Sequence, residues 1–452
     1  GALVYYPLAK DFRYTADQGG GEADPYSLLN SGQDLGNQSM NIKGQDRVAG
    51  FQAPEVTLQP GESTWFGVVT AFEPNKDAYH GAVNDVASQY SHRNAAQALQ
   101  EARDEWEAWR KPAPANLTAA ELQVYRTSEA VLRMGQAWET TDRSKGQILA
   151  SLPPGMWSIS WVRDMAYAVV GLVRSGHFTE AKAALEFQLL AESGNYVTFE
   201  HNGVQQTGVG HDYQISVCRY YGNGKEESDW NWDGPNVEFD GFGLFLWSLG
   251  EYVEASGDVS IIQDYWDTIK DNIADVLVKL IMENGMIAAD SSIWELHWNG
   301  QQKQYTYTSI TAAKGLCEAS QLALGLGKIE DSDSWANATH TITAGIKNTV
   351  VTNNFLAQSV EELANNSGYV DASVIEAFRW GLFDPAGIIA KTTIQGLLDE
   401  LTVPNGIGIA RNDDGGSYDS AEWVFMDLRM AGALRNSGVT ANQEKADLLI
   451  DW

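Results

Sequence analysis

The pattern of hydrophobic and polar residues in the first 75 or so positions is typical of short strands. Extended-looking segments are separated by Gly, Pro, Asn and Asp, and they end with Glu55–Leu58, a Pro60-Gly61 turn and Ser63–Thr70. Such alternation around turn residues predicts antiparallel strands. We expect residues 1–75 to be part of a β-sandwich, and an incomplete part, because a sandwich usually needs about 100 residues.

The pattern becomes helical after this region and stays helical to Trp452. Residues 76–117 are predicted to form a charged helical linker that ends in the stiff segment Lys111–Ala115. Apolar residues then recur with helical spacing, separated by loops. The predicted helices span residues 118–138, 162–175, 179–191, 241–256, 260–282, 309–326, 334–350, 372–381, 390–401, 421–436 and 441–452. No fixed repeat is present, so we expect a helical toroid whose functional loops meet at one end.

Composition narrows the classes of partner. With 452 residues the chain exceeds the size of most single cores, so we expect two structural units. The net charge of -30 is spread along the sequence and argues against nucleic acid, and no apolar run is long enough for membrane insertion. The 16 tryptophans favour a neutral ligand such as carbohydrate, whose rings stack on indoles. Cys218 and Cys317 lack metal or redox spacing and suit small buried apolar positions.

The segment Ser292–Trp298 contains the first candidate catalytic residue. Glu295 stands between Trp294 and Trp298, just before the predicted helix 309–326. Apolar neighbours disfavour the charged form of a carboxyl group, so we expect its pKa to be raised, as a general acid requires. The structural alternative is a Glu favoured by the helix dipole beside core tryptophans.

Three further clusters stand at predicted helix starts. The first is Trp161-Val162-Arg163-Asp164, where the charged pair could bind sugar hydroxyls or form a local ion pair. In the second, Asp240 could contact a ligand, cap the following helix, or do both. In the third, Glu422-Trp423 follows a loop that is either functional or an acidic solvated segment. If Glu295 and Glu422 are an acid and a base acting through water, their carboxyl groups should lie roughly 6.5–9.5 Å apart and the product should be inverted.

Five motifs follow one another along the chain: Gly146–Ser151, Trp161–Asp164, Asp240-Gly241, Trp294-Glu295 with Tyr307-Thr308-Ser309, and Glu422-Trp423. Together and in this order they resemble glycoside hydrolase family 15, the glucoamylase and glucodextranase group. The resemblance covers about residues 118–452. It implies a mainly α fold, an (α/α)6 barrel of twelve helices, preceded by the β-sandwich of prokaryotic members. Because eleven helices are predicted, a final helix would be expected after Trp452.

The resemblance also implies roles for individual residues. Glu295 would be the general acid and Glu422 the general base of an inverting exo-hydrolase that releases β-glucose from non-reducing ends of α-glucans or α-gluco-oligosaccharides. Arg163, Asp164 and Asp240 would bind the terminal glucose. The aromatic residues of the same motifs would line the site, namely Trp161, Trp294, Trp423 and Tyr307. Asp413, Asp414 and Asp419 are rivals to Glu422 in the preceding loop.

Two departures from the family concern the substrate. Leu296 stands where fungal glucoamylases have a second Glu, and Asn236 or a neighbour replaces an Arg that precedes the Asp-Gly motif. They leave the linkage open between α-1,4, α-1,6 and other α-glucosides. No cofactor is expected to be required, although acidic loops such as Asp229–Glu238 could hold structural calcium. A polysaccharide-degrading hydrolase would be secreted or periplasmic. The alternatives are an inverting phosphorylase with the same barrel and a catalytically silent carbohydrate-binding protein.

Overall fold

A computed structural model describes residues 2–9, 11–39, 47–73, 75–139, 142–296, 300–404 and 406–452. His297 and Trp298 of the Trp294-Glu295 motif therefore lie outside the described residues. The chain divides into two compact units, Gly1–Arg110 and Lys111–Trp452. The boundary falls at the start of the Lys111–Ala115 segment, so the helices predicted as a linker group with the strands before them.

The described residues of the first unit form two small sheets and three α-helices. One sheet pairs β1 with β5 in antiparallel register, and in the other β2 pairs antiparallel with β4 and parallel with β3. The elements are β1 (Ala2–Pro7), β2 (Arg13–Gln18), α1 (Pro25–Asn30), β3 (Gln38–Ser39), β4 (Arg47–Gln52), β5 (Val68–Glu73), α2 (Tyr79–Tyr90) and α3 (Ala95–Trp109).

One strand prediction in this unit is wrong. The Pro60-Gly61 turn is present, but Glu55–Leu58 forms no strand and the later strand begins only at Val68. Residues 55–66 are exposed, so neither face of this segment is buried to fix a pairing register.

The second unit is mainly α-helical and contains only short strands. The helices are α4 (Ala119–Gly135), α5 (Val162–Arg174), α6 (Phe178–Leu189), α7 (Asp240–Ser256), α8 (Ser260–Asp264), α9 (Trp266–Ile269), α10 (Asp275–Lys279), α11 (Thr306–Gly325), α12 (Ile329–Thr349), α13 (Val360–Asn365), α14 (Glu376–Arg379), α15 (Ile388–Leu401), α16 (Val424–Asn436) and α17 (Thr440–Asp451). The strands are β6 (Ser160–Trp161), β7 (Thr198–His201), β8 (Val204–Thr207), β9 (Arg219–Tyr220), β10 (Glu226–Glu227), β11 (Val351–Thr352) and β12 (Phe355–Leu356).

The helix predicted over residues 260–282 is interrupted. It is divided into α8, α9, a π-helical turn at Lys270–Ala274, and α10. The carbonyl of Asn272, within that turn, accepts a hydrogen bond from the backbone N–H of Gln214 at 3.0 Å. A residue from a distant segment thus donates to a backbone carbonyl that would accept an intrahelical hydrogen bond in a regular helix.

Close packing of α5, α7 and α11 brings their N-termini to one end of the unit. A Cβ added to Gly243 of α7 would lie 2.2 Å from the Thr311 carbonyl oxygen of α11, and one added to Gly315 would lie 2.4 Å from the Gly243 carbonyl oxygen. Only glycine allows this backbone approach. Gly241 similarly packs against the Val162 side chain at the start of α5. The residues that precede these three helices therefore converge.

Two further observations concern the whole of the described chain. Cys218 is buried and Cys317 partly buried, and both thiols are free. None of the described helices is long and apolar enough to cross a membrane.

Candidate active site

Arg163 joins three of the acidic side chains at this end of the unit. It lies in the first turn of α5 and is 8 % exposed. Its Nη1 donates to Glu238 Oε2 at 2.5 Å and to Asp240 Oδ2 at 3.4 Å, and its Nη2 donates to Glu295 Oε1 at 2.8 Å. Burial opposes the charged form, but Glu238, followed by Asp240 and Glu295, raises the pKa of Arg163 well above its ordinary value. The guanidinium is therefore a permanent cation.

Glu295 lies in a strained turn that presents its carboxylate to solvent. Its φ is +59°, and Ser292 in the same turn has a φ of +50°. Non-glycine residues rarely adopt this conformation, and it is concentrated at functional sites. The turn is closed by hydrogen bonds from the Glu295 N–H to the Ser292 carbonyl and from the Leu296 N–H to the Ser291 carbonyl, both at 3.0 Å. The side chain is 30 % exposed, so it is fixed yet accessible. The carboxylate faces a cation, rather than the purely apolar surroundings that the sequence suggests.

Asp164 is an exposed acid next to Arg163 in the sequence. Its side chain is accessible to solvent, yet desolvation by the surrounding protein, aided by Glu295 and opposed by Arg163, raises its pKa. Asp240, in contrast, is fully buried as the first residue of α7, where it pairs with Arg163 and is not the N-cap.

The segment before α7 is tied to the loop that carries Glu295. The Phe239 N–H donates to Asp290 Oδ2 at 2.9 Å, and the Ser291 N–H donates to the Val237 carbonyl at 2.8 Å. Asp290 also accepts from the Thr308 hydroxyl of α11 at 3.0 Å. Burial raises the pKa of Asp290 well above its ordinary value. These bonds hold Asp240 and Glu295 in a fixed relation.

An aromatic wall stands beside Glu295. The rings of Trp294 and Trp423 lie 5.7 Å apart in edge-to-face geometry, and the Arg411 guanidinium lies 4.8 Å from the Trp294 ring and 5.5 Å from the Trp423 ring. The Trp294 indole donates to Asp371 Oδ2 at 2.7 Å. The structure thus brings together two tryptophans that are 129 positions apart in the sequence (423 − 294).

The other two predicted aromatic residues are buried. Trp161 is 5 % exposed, and the Arg219 guanidinium lies 4.6 Å from the centre of the Trp161 ring. Tyr307 is 1 % exposed, and its hydroxyl lies 3.4 Å from that of Tyr167. In this structure both pack within the walls of the site.

Glu422 is placed differently from Glu295. It is exposed, precedes α16, and its Oε1 accepts from the Trp452 indole at 2.8 Å. It also faces Asp427, whose pKa is raised to about 6 by burial and by Glu422, against a hydrogen bond from the Ile409 N–H. No contact among the described residues joins Glu422 to Arg163 or Glu295. The base assignment stays a prediction.

The possible calcium site in the acidic loop before α7 stays a prediction, and two carboxylates of this loop already pair with arginines. Asp229 pairs with Arg219 at 2.7 Å, and Glu238 pairs with Arg163. Within the ranges that the structure describes, no His, Cys, Asp and Glu side chains form a group that could hold a metal ion.

The family model of glycosyl hydrolases family 15 matches residues 134–397, more than half of the chain. The chain belongs to glycosyl hydrolases family 15.

Relatives in the family are distant in sequence. Trehalase 2 of Sulfolobus acidocaldarius is 23% identical over 56% of this chain and 42% of its own length, and Trehalase 1 of the same organism is 23% identical over 62% and 48%. The chain thus spans less than half of the length of these curated relatives.

Solved structures share the fold. A bacterial glucoamylase complexed with acarbose matches with a TM-score of 0.65 and 14% identity, over 98% of this chain and 65% of that one. A structure named as a wild-type glycosidase matches with a TM-score of 0.55 and 18% identity, over 73% and 84%. Together with the helices above, they make the second unit a mainly α barrel of the family 15 type.

Glu238 also pairs with Arg163 in this cluster, although the sequence pattern pointed only to Asp240 in the same segment. The sequence contains a pattern that indicates this residue, because Asn236, Glu238 and Asp240 alternate with Val237 and Phe239. In the structure all five residues are at most 3 % exposed. Polar side chains at alternate positions of an extended, otherwise apolar segment point to one buried polar face.

Proposed function

We propose that the protein is an exo-acting hydrolase of short α-glucosides that inverts the anomeric configuration, with Glu295 as the general acid. The observation that carries the proposal is the Glu295 carboxylate, held by Arg163 at 2.8 Å on a strained turn and open to solvent beside Trp294. A general acid must be fixed relative to the glycosidic oxygen and reachable by it. Asp164, the exposed neighbour of Arg163, is the proposed acceptor of hydrogen bonds from sugar hydroxyls.

Trehalose is the first substrate to test, because both curated relatives above are named trehalases. Maltose and isomaltose follow, since glucoamylase is the name of a structural neighbour and Leu296 leaves the linkage open. Glu422 is the proposed base. The observation that supports this role is that Glu422 precedes Trp423, whose ring packs against the ring of Trp294. The Glu422 carboxylate itself contacts Trp452 and faces Asp427.

The test of the acid is Glu295→Gln. We expect hydrolysis of trehalose and maltose to fall by about 10²–10⁴-fold, the usual contribution of general acid catalysis. Hydrolysis of α-glucosyl fluoride should be largely retained, because fluoride leaves without protonation. Glu318→Gln on α11, which breaks only an i,i+4 pair with Lys314, is the matched control and should behave as the wild type.

The stereochemical course is read by NMR immediately after mixing. An inverting enzyme gives β-glucose from the non-reducing residue of maltose, alongside the anomeric mixture of the reducing-end glucose, and equal amounts of α- and β-glucose from trehalose. Initial release of α-glucose alone from trehalose would contradict inversion. Equal loss on both natural glucosides and the fluoride in E295Q would contradict the acid role. A rate that requires inorganic phosphate would favour the phosphorylase alternative.

A further inference from the structure

A groove in the second unit lies at the end of α7 that is remote from Arg163. Its volume is about 390 Å³, and its lining comes from the segment after α4, from α6 and from the end of α7. Helix α7 begins at Asp240, in the candidate active site, and ends at Ser256, which lines the groove. At 1.5 Å per residue these two ends are about 24 Å apart. The groove is therefore separate from the candidate active site.

Trp138 gives the groove an aromatic surface. Its side chain is 43 % exposed, and the Lys145 ammonium lies 5.5 Å from the centre of its ring. Phe178, the first residue of α6, is a second, half-buried aromatic in the lining. A single exposed aromatic residue is ordinary on a protein surface. An exposed indole beside polar side chains, however, suits a ligand that has both an apolar face and hydroxyl groups.

Glu186 supplies an acceptor to the same groove. It is half-buried on α6, and no hydrogen bond or ion pair reaches its carboxylate within the part of the chain that the structure describes. One turn earlier on α6, Lys182 is held in place, because its Nζ donates to Asp258 Oδ2 at 2.8 Å and to Ser260 Oγ at 2.7 Å. A carboxylate has only acceptors, so Glu186 can accept hydrogen bonds from the hydroxyl groups of a ligand.

The charges that line the groove cancel. Lys145 and Lys182 are balanced by Glu186 and Asp258. The hydrogen bond from Lys182 lowers the pKa of Asp258, and Asp258 raises the pKa of Lys182, so both remain charged near neutral pH. Asp264, outside the lining, adds a negative charge near Lys182. An anion would be repelled by these carboxylates, and no group of His, Cys, Asp and Glu among the described residues could hold a metal ion. The lining therefore favours a neutral ligand.

We propose that this groove is a second carbohydrate-binding site, in which a sugar ring stacks on Trp138 and its hydroxyl groups donate to Glu186. Its volume of about 390 Å³ is near the lower end of the range of roughly 300–1,000 Å³ for small-ligand sites, which fits a short saccharide. The site requires no catalysis and so goes beyond the proposed function.

Fluorine NMR of protein labelled with fluorotryptophan tests this site directly. The Glu295→Gln background keeps the sugar intact, and the resonance that is absent after Trp138→Phe reports Trp138. We expect this resonance to move as maltose is added, with a midpoint in the millimolar range because only one face of the sugar is held. Glu186→Gln should weaken maltose binding roughly fivefold, since a charged acceptor becomes a neutral one.

Two matched variants and a second probe complete the experiment. Trp65 is 55 % exposed but lies in the first unit, and the resonance absent after Trp65→Phe should stay in place. Glu283→Gln, exposed and outside the lining, should leave the maltose midpoint at Trp138 unchanged. Sodium phosphate should not move the Trp138 resonance.

Three outcomes would each overturn the inference. They are a Trp138 resonance that does not move at tens of millimolar maltose, a midpoint that Glu186→Gln leaves unchanged, and a response to phosphate in place of maltose. The readout involves no turnover. Inactivity of the wild type towards every α-glucoside would therefore count against the proposed function alone.

Discussion

Arg163→Ala is the sharpest perturbation of the site, because it removes one cation from three carboxylates. Glu238 and Asp240 are 3 % and 0 % exposed, so both would lose their ion-pair partner inside the protein. Glu295, at 30 % exposed, would be partly hydrated and contribute less. The variant should therefore lose stability as well as activity.

The size of the effect follows from burial. Removing one partner of a buried ion pair costs about 3–5 kcal/mol, mostly because a charge is left uncompensated. For a large domain that corresponds to a melting temperature lower by roughly 6–15 °C. Arg174→Ala is the control, because its 3.4 Å pair with Glu251 is a surface contact with Arg174 59% exposed, and it should change the melting temperature very little.

The pH dependence supplies a second, stricter expectation. Burial raises the pKa values of Glu238 and Asp240 above their ordinary values, so the folded state binds more protons than the unfolded state in the range above those ordinary values. Stability is then lost as the pH rises through that range. Without Arg163, which lowers both pKa values, the loss should be greater, so R163A should be further below the wild type at pH 8 than at pH 5.

Thermal unfolding followed by circular dichroism at both pH values measures these differences. Arg163→Lys, which keeps the charge but not the forked geometry, should be intermediate. An R163A variant that melts within about 2 °C of the wild type at pH 8, against the several degrees expected for a buried pair, would refute the reasoning. So would a deficit that is equal at pH 5 and pH 8, because uncompensated carboxylates must respond to protons.

Three other substitutions test separate parts of the structure. Glu422→Gln should lower hydrolysis by about 10²–10⁴-fold if Glu422 is the base, with partial rescue by azide, and activity near that of the wild type would reject the assignment. Gly243→Ala should lower the melting temperature by several degrees because its Cβ would meet the Thr311 backbone at 2.2 Å, whereas Gly325→Ala in open space should not; equal melting would contradict the close packing. Asp290→Asn should reduce the fall in stability between pH 4 and pH 7, since burial raises the pKa of Asp290; an unchanged slope in thermal melts would count against it.

The helices of the second unit could be predicted because their packing repeats at helical spacing. In α5 the residues Val162, Met165, Val169, Leu172 and Val173 are all buried, and the predicted and observed bounds differ by one residue at the C-terminus. The prediction of one continuous helix over residues 260–282 is wrong, because hydrophobic spacing carries no information about long-range contacts. Its interruption accompanies a bond to Gln214, which lies 58 positions before Asn272 (272 − 214) and has no local signature.

The site was predictable as a set of motifs but not as a network. The sequence leaves two possibilities for Arg163 and Asp164, a local ion pair or hydrogen bonds to sugar hydroxyls. In the structure they diverge, since Arg163 points to residues 75, 77 and 132 positions away while Asp164 faces solvent. Their separation depends on where α7 and the Glu295 turn lie relative to α5. Local pattern gives the residue types, and tertiary packing decides their partners.

The position of Glu295 is set by contacts between its turn and buried residues. Two non-glycine residues of its turn, Ser292 and Glu295, have left-handed φ values, and such conformations cost about 1–3 kcal/mol each. The turn persists because its start is bound to the segment before α7 through Ser291 and Asp290, and its end is bound to Arg163 through the Glu295 side chain. Both attachments lead to the 237–240 segment, which pairs with Arg163 through Glu238. The strained turn, the buried charges and the position of the proposed acid are therefore linked through the pairing of Glu238 with Arg163.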